Sequence, residues 1–399
     1  MNITRNKRVG IIWIIIIIFG LGAINKTKPI LANQEEISSN LVINDLIDVP
    51  EIVITNDADV AYWANGGGDG SSGNPYILQN YNILGTGPFG ILIDASGTGM
   101  PYNVSFTIRN CIVTAIEVCI KVVDAYPNLV RIESCYCYGT IAGDGIGIHL
   151  LRCDGAVIWN CTCNYNLHTG IRIDTSVGTL TQDSTCFGNG DEGIYLDNAS
   201  DGAVVENNDF ILSNFGIYNE ISHSNHFLYN TVANNSWEGI LITNSQNVII
   251  QNNTIATNGL GMLASGIFYI NSDYGQVLYN NIIGNSLYGL EIDMISDGLI
   301  IHHNNFINNQ VATSQAQEDS SLTKINATWY DIGLLEGNYW NDYVGPGYYY
   351  IDGTASNFDP YPLSSPVNIY VIAEYSSLLI GFLLAFSLIG TAVIFLKKR

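Results

Sequence analysis

Arg172, Tyr195 and Tyr218 follow one another at intervals of 23 residues, and His149 stands 23 residues before the first of them. Two places after the arginine and the tyrosines come carboxylates: Asp174, Asp197 and Glu220. Aromatic rings beside carboxylates on a flat, ridged surface suit a polysaccharide. Rings stack on sugar faces, while carboxylates take hydroxyls or bind a Ca²⁺ that bridges to uronates. Neighbouring carboxylates also repel, which can raise one pKa and make a general acid. A plainer reading stands beside these, because outward positions on any repeated strand are polar or aromatic by default.

The element that must position these side chains is a repeat. Gly147, Gly170, Gly193, Gly216, Gly239, Gly266 and Gly289 each open a Gly-Ile or Gly-Leu step, and every interval but one is 23 residues. The exception, from Gly239 to Gly266, is longer by the small-residue insert 259–265, which reads as a lengthened turn. Asparagines recur nineteen residues after most of the glycines, at Asn166, Asn189, Asn235, Asn258, Asn285 and Asn308; the Gly193 unit has Leu212 there instead. Segments such as Gly-Ile-Tyr-Leu-Asp alternate with period two and not 3.6, which excludes helical repeats. A short β-rich repeat with Asn/Gly punctuation predicts a stacked solenoid. The expected fold is all-β, a right-handed parallel β-helix with capped ends. Two looser coils, beginning at Gly90 and Cys119, precede the regular ones, so about nine coils run to residue 308. If the residue after each glycine points inward, the second and fourth point out, and the residues named above share one outward face.

All eight cysteines lie between Cys111 and Cys186. Aligned on the repeat, Cys111, Cys135 and Cys161 form one column, and Cys137, Cys163 and Cys186 another two residues on, so their sulfurs should stack inside. Buried thiols and coil-to-coil disulfides both fit that placement. Farther along, the first column passes to Asn208, Asn230, Asn253, Asn281 and Asn304, as an interior amide ladder would. His223 with His226, and His302 with His303, read as turn or surface residues rather than ligands.

At the ends of the chain, Arg5, Lys7 and Arg8 precede an apolar run at 9–24, which reads as a signal peptide or signal anchor at 1–32. Residues 376–396 carry no charge and are followed by Lys397, Lys398 and Arg399. Twenty-one helical residues span a bilayer core of roughly 30 Å, and the trailing cations belong in the cytoplasm. The expectation is a single-pass cell-membrane protein with its ectodomain outside. Between Lys28 and Lys397 only six Lys and Arg face all 36 acidic residues, a balance of −30. Nucleic acid and anionic membrane surfaces are thereby excluded as partners, since nothing could neutralise phosphates. Divalent cations are more natural company, and Ca²⁺ is the one that suits this acidity.

The Gly/Ser-rich loop 65–74, then Pro75-Tyr76 and an alternating strand, resembles the entry of NosD-like right-handed parallel β-helix proteins. The likeness continues through the repeats to Gly337-Asn338-Tyr339-Trp340-Asn341-Asp342-Tyr343 and Asp359-Pro360-Tyr361, which look like that family's closing pieces. It covers roughly 50–363, although the long Asp/Gly-rich insert often found between the closing pieces is missing. The chain then divides into a polar, weakly patterned linker at 33–49, an N-terminal cap and first coil at 50–89, repeats at 90–311, a closing coil and cap at 312–365 and a juxtamembrane linker at 366–375. The copper-binding name attached to NosD-like proteins invites a soft-metal site. Stacked interior cysteines are poor coordination geometry, with no His or Met interleaved, so copper is not expected there. The wider parallel β-helix class, many of whose members act on acidic polysaccharides, points to a surface glycan as partner. Asn-Thr-Asp, Gly-Asp-Asp and Gly-His-Gly motifs of polygalacturonase-like enzymes are absent, so binding or scaffolding is favoured over a lyase or hydrolase. Among the sequons, Asn103 and Asn198 are the best candidates for glycosylation.

Overall fold

A computed structural model describes residues 46–98, 101–309, 314–321 and 325–369. The segment 1–32, the linker up to residue 45, the span 376–396 and the tail 397–399 lie outside the described residues. Among those that are described, no helix is long and apolar enough to cross a membrane.

Alternating β-branched and polar residues form short strands, and every third strand in chain order joins the same sheet. The result is a parallel β-solenoid of the right-handed type with sheets of 12, 11 and 10 strands. Nine rungs of the 11-stranded sheet run from Phe89–Asp94 to Leu290–Ile292, matching the nine coils expected. Direction alternates as the pleat requires. Ile148, Ile171, Ile194, Ile217, Ile240, Ile267 and Leu290 are all fully buried, and each pairs with the next up the sheet.

The recurrent glycine follows from how closely coils approach. A Cβ on Gly170 would lie 2.6 Å from the carbonyl oxygen of Gly193 and 2.8 Å from Asn189 Nδ2, so no larger residue fits without moving backbone. Asn189 belongs to an interior ladder in which each amide oxygen accepts from the backbone and side-chain nitrogens of the coil before, as Asn258 Oδ1 does from Asn235. This ladder satisfies buried backbone at a corner where no strand can.

Three placements differ from the sequence reading by one residue. The ladder runs through Asn309, which donates on to Gln315 Oε1, and not through Asn308, which instead adopts φ 53° at the corner. Ser213 fills the position in the Gly193 coil, its N–H donating to Asn235 Oδ1. In the second ladder Asn280, and not Asn281, stands between Asn253 and Asn304; Asn281 faces outward and accepts from Asn305. For Ser213 and Asn309 the cause is a corner that absorbs an extra residue without disturbing the strands on either side, whereas Asn280 keeps the same step from Gly266 that Asn253 keeps from Gly239, so the place belongs to it and not to the asparagine that follows. A serine ladder at Ser176, Ser200, Ser222, Ser245, Ser272 and Ser296 lines a third corner and had no counterpart in the sequence reading.

Both ends are covered. Helix Asp57–Trp63, N-capped by Asn56 through Ala58 and Asp59 amides, buries Val60 at the first coil. The first strand, Ile47–Asp48, lies within the stretch that reads as linker. At the far end Trp340 is stacked between Phe306 and Tyr349, with centroids 4.2 and 4.0 Å away, and its indole N–H donates to buried Asp359. The Asn-Tyr-Trp and Asp-Pro-Tyr pieces are thus one plug, since Asn338 caps the second amide ladder and also donates its N–H to Asp359.

Candidate functional site

The outward face of the 11-stranded sheet carries the residues singled out above. His149 on Ile146–Cys153 pairs with Arg172 on Ile171–Asp174, Arg172 with Tyr195 on Glu192–Asp197, and Tyr195 with Tyr218 on Phe215–Glu220. Asp174 pairs with Asp197, and Glu220 follows one rung on, beside Thr243. All seven therefore meet in two adjoining columns.

Their contacts make a connected network. Arg172 donates to Asp197 at 2.8 Å and lies 3.4 Å from Asp174, with its guanidinium 5.2 Å from the centre of the Tyr195 ring. Tyr195 donates its hydroxyl to Glu220 at 2.5 Å. The two tyrosine rings are parallel, 9° apart at 4.8 Å. Each ring thus spends a face on its neighbour, and what the pair offers outward is edges. The aromatic surface continues through Phe215, 5.6 Å from Tyr218, to Trp237, which stands edge-on to Phe215 at 5.1 Å and is 42 % exposed. Phe215 and Trp237 escaped the sequence reading because they precede their glycines, outside the counted columns; aromatic side chains just before Gly216 and Gly239 are the signal that could have found them.

Burial sets the electrostatics. Desolvation holds the Asp197 carboxyl above its ordinary range, although Arg172 pulls the other way. The Tyr195 phenol is pushed well up by burial and by its bond to Glu220. His149 is only 5 % exposed, and neither ring nitrogen has a partner in the protein. Burial, with Lys121 and Arg172 on either side, lowers it to about 3, so the ring is neutral. Arg172 Nε beside it is likewise unpartnered. Two adjacent orphaned groups of this kind are uncommon in a folded interior.

Asn103 and Asn198 are exposed, as glycan acceptors must be. All eight cysteines are buried and unbridged, and Cys137 pairs in register with Cys163. Their hydrogen-bond partners include backbone carbonyls, as for Cys161 with those of Ile132 and Trp159. Burial drives the Cys135, Cys137 and Cys186 thiols well above their ordinary value. His223 Nδ1 accepts from the Gln246 amide, the turn role expected of it. The ring nitrogens of His302 and His303, which read as turn or surface residues, lie with the carboxylate of Asp331 all within 4.8 Å of one another.

A family model described as periplasmic copper-binding protein (NosD) matches residues 110–345. The chain belongs to the NosD family. No curated protein sequence matches this NosD chain. Among solved structures, the A-module of a mannuronan C-5 epimerase from Azotobacter vinelandii is similar at 14% identity, covering 82% of this chain and 97% of that one with a TM-score of 0.49. A periplasmic alginate epimerase is similar at 14% identity, 81% of each chain and a TM-score of 0.44. The enzymatically active domain of tailspike protein 2 from bacteriophage CBA120 matches at 14% identity, 69% of this chain and 46% of that one, with a TM-score of 0.49. The copper in the family's description can be tested against the residues present. The cysteine columns do not fit, because their sulfurs are sealed among apolar side chains and spread along the rod. The described group that does fit is His302, His303 and Asp331, with two imidazoles and a carboxylate.

Proposed function

We propose that this NosD-family solenoid binds extracellular polysaccharide on the outward face of its 11-stranded sheet, held at the cell surface by the segment 376–396. The observation that carries the reading is the row His149, Arg172, Tyr195 and Tyr218 beside Asp174, Asp197 and Glu220, in which all but His149 and Asp197 are partly exposed. In that row the His149 imidazole and Arg172 Nε have no protein partner. Sugar hydroxyls can donate to the partly exposed carboxylates of Asp174 and Glu220, and the exposed Trp237 indole offers the ring face that the stacked tyrosines do not. Three carboxylates against one arginine disfavour direct contact with uronates, so acidic chains bind through Ca²⁺.

The test is a glycan array probed with the full chain, with Ca²⁺ or with EGTA. Retention of uronic-acid polymers should need Ca²⁺, and both Tyr195→Ala with Tyr218→Ala and Trp237→Ala should abolish it. Failure to retain any glycan in either condition removes the proposal.

A further inference from the structure

We propose that His302, His303 and Asp331 form a binding site for a tetragonal divalent transition-metal ion of the Cu²⁺ class, with Glu336 as the group that orients His303. The residues arrive from two places. His302 ends the strand Ile300–His302, and His303 follows in the corner column, at φ 57°. That column is built from left-handed residues standing just before the amide ladder, among them Asn252 (59°) and Tyr279 (55°). Asn304 pins the corner from behind through its amide bonds to Val277 and His302 carbonyls. Asp331 and Glu336 come from the closing segment, where a tight antiparallel turn joins them.

The second-sphere arrangement is what separates this group from two chance histidines. His303 Nε2 lies 2.9 Å from Glu336 Oε2, so it carries the proton and donates it, leaving the Nδ1 lone pair facing His302. Metal-bound imidazoles characteristically give their other N–H to a carboxylate in this way. The ring is fixed further by Tyr279, stacked 4.8 Å away at 22°. Asp331 is oriented too: its Oδ1 accepts from Gly333 and Leu334 amides at 2.7 and 3.0 Å, which leaves Oδ2 for a ligand. His303 is buried while His302 and Asp331 are partly exposed, so the site is open to solvent on one side.

Geometry selects the ion. The two Nδ1 atoms are 2.8 Å apart. With each about 2.0 Å from a common metal, they subtend an angle of about 90°. Cis positions of a square or tetragonal ion need that angle, whereas a tetrahedral Zn²⁺ needs its nitrogens roughly 0.5 Å farther apart. The metal takes the place of the hydrogen between the rings, and the single proton of neutral His302 moves from Nδ1 to Nε2 by exchange with solvent, so no net proton release is required.

The experiment titrates the full chain with CuSO₄ and with ZnSO₄, reading heat by calorimetry and, for copper, the electron paramagnetic resonance spectrum. One Cu²⁺ per chain is expected, with tetragonal parameters and superhyperfine coupling from two nitrogens, and with Zn²⁺ bound at least tenfold more weakly. His302→Gln and His303→Asn keep residue types already used in those columns, so the fold is retained and the two-nitrogen signal is lost. Glu336→Gln should weaken affinity roughly 10- to 100-fold at unchanged stoichiometry. A two-nitrogen spectrum that survives both histidine variants overturns the proposal, as does no Cu²⁺ uptake by the folded chain.

Discussion

Replacing Arg172 by methionine tests the charged network at its centre. The guanidinium is the one cation between Asp174 and Asp197, and its side chain is 29% exposed while theirs are 14% and 9%. Removing one partner of a fully buried pair costs about 3–5 kcal/mol and of an exposed pair about 0–1, so this half-buried case should lose about 1–3 kcal/mol at neutral pH. Methionine keeps an apolar stem against the Tyr195 ring, which confines the change to charge. The pH dependence carries a definite sign. Burial already holds the Asp197 carboxyl above its unfolded value, so the folded chain binds that proton more tightly than the unfolded one. The stability gained from it is complete at low pH and fades as pH rises through the folded value. Taking away Arg172 removes the influence that lowers this pKa, so the penalty of the variant should grow from pH 4 to pH 7. Urea unfolding of the full chain at both values measures it, and adding Asp197→Asn should recover much of the loss at pH 7. An equal loss at both pH values, or no recovery, would refute the account.

Three further outcomes are expected. His149 is buried neutral at about 3, so the unfolded chain binds a proton that the folded one refuses between roughly pH 6.5 and 3, and stability falls as pH drops through that window. His149→Phe should flatten the fall in thermal midpoint between pH 7 and pH 4.5, and an unchanged slope counts against its burial. Asn253→Leu removes a fully buried amide and orphans the Asn230 N–H and the carbonyls of Phe227 and Gln251. At about 1–3 kcal/mol for each of these three groups, the expected loss is about 3–9 kcal/mol, with amide exchange accelerated first at Asn230. Finally, iodoacetamide should leave the native chain unmodified and label eight cysteines once it is unfolded without reductant; fewer than eight would reveal disulfides.

The comparison of sequence and structure turns on where geometry is periodic. Within a strand, direction alternates with period two, so counting from Gly170 or Gly193 was enough to place Ile171 and Ile194 in the interior and Arg172 and Tyr195 on the outer face. The 23-residue interval equals one coil, which made the register of the whole candidate face legible before any coordinates. Corners obey no such rule. They accept an extra residue at no cost to the strands, and so Asn309 and Ser213 hold ladder places one residue beyond the count.

What the sequence by itself determined is the solenoid, its inward and outward columns, and the acidic balance of −30 between Lys28 and Lys397. Tertiary structure alone decided how side chains use the space between columns. Ring faces that composition offers to a ligand are consumed by stacking, because rungs of a parallel sheet stand at the distance aromatic rings prefer. The closing segment, folding back over the last coils, brings Asp331 and Glu336 to His302 and His303. That contact joins residues from different coils through an irregular cap, where no period exists to be counted.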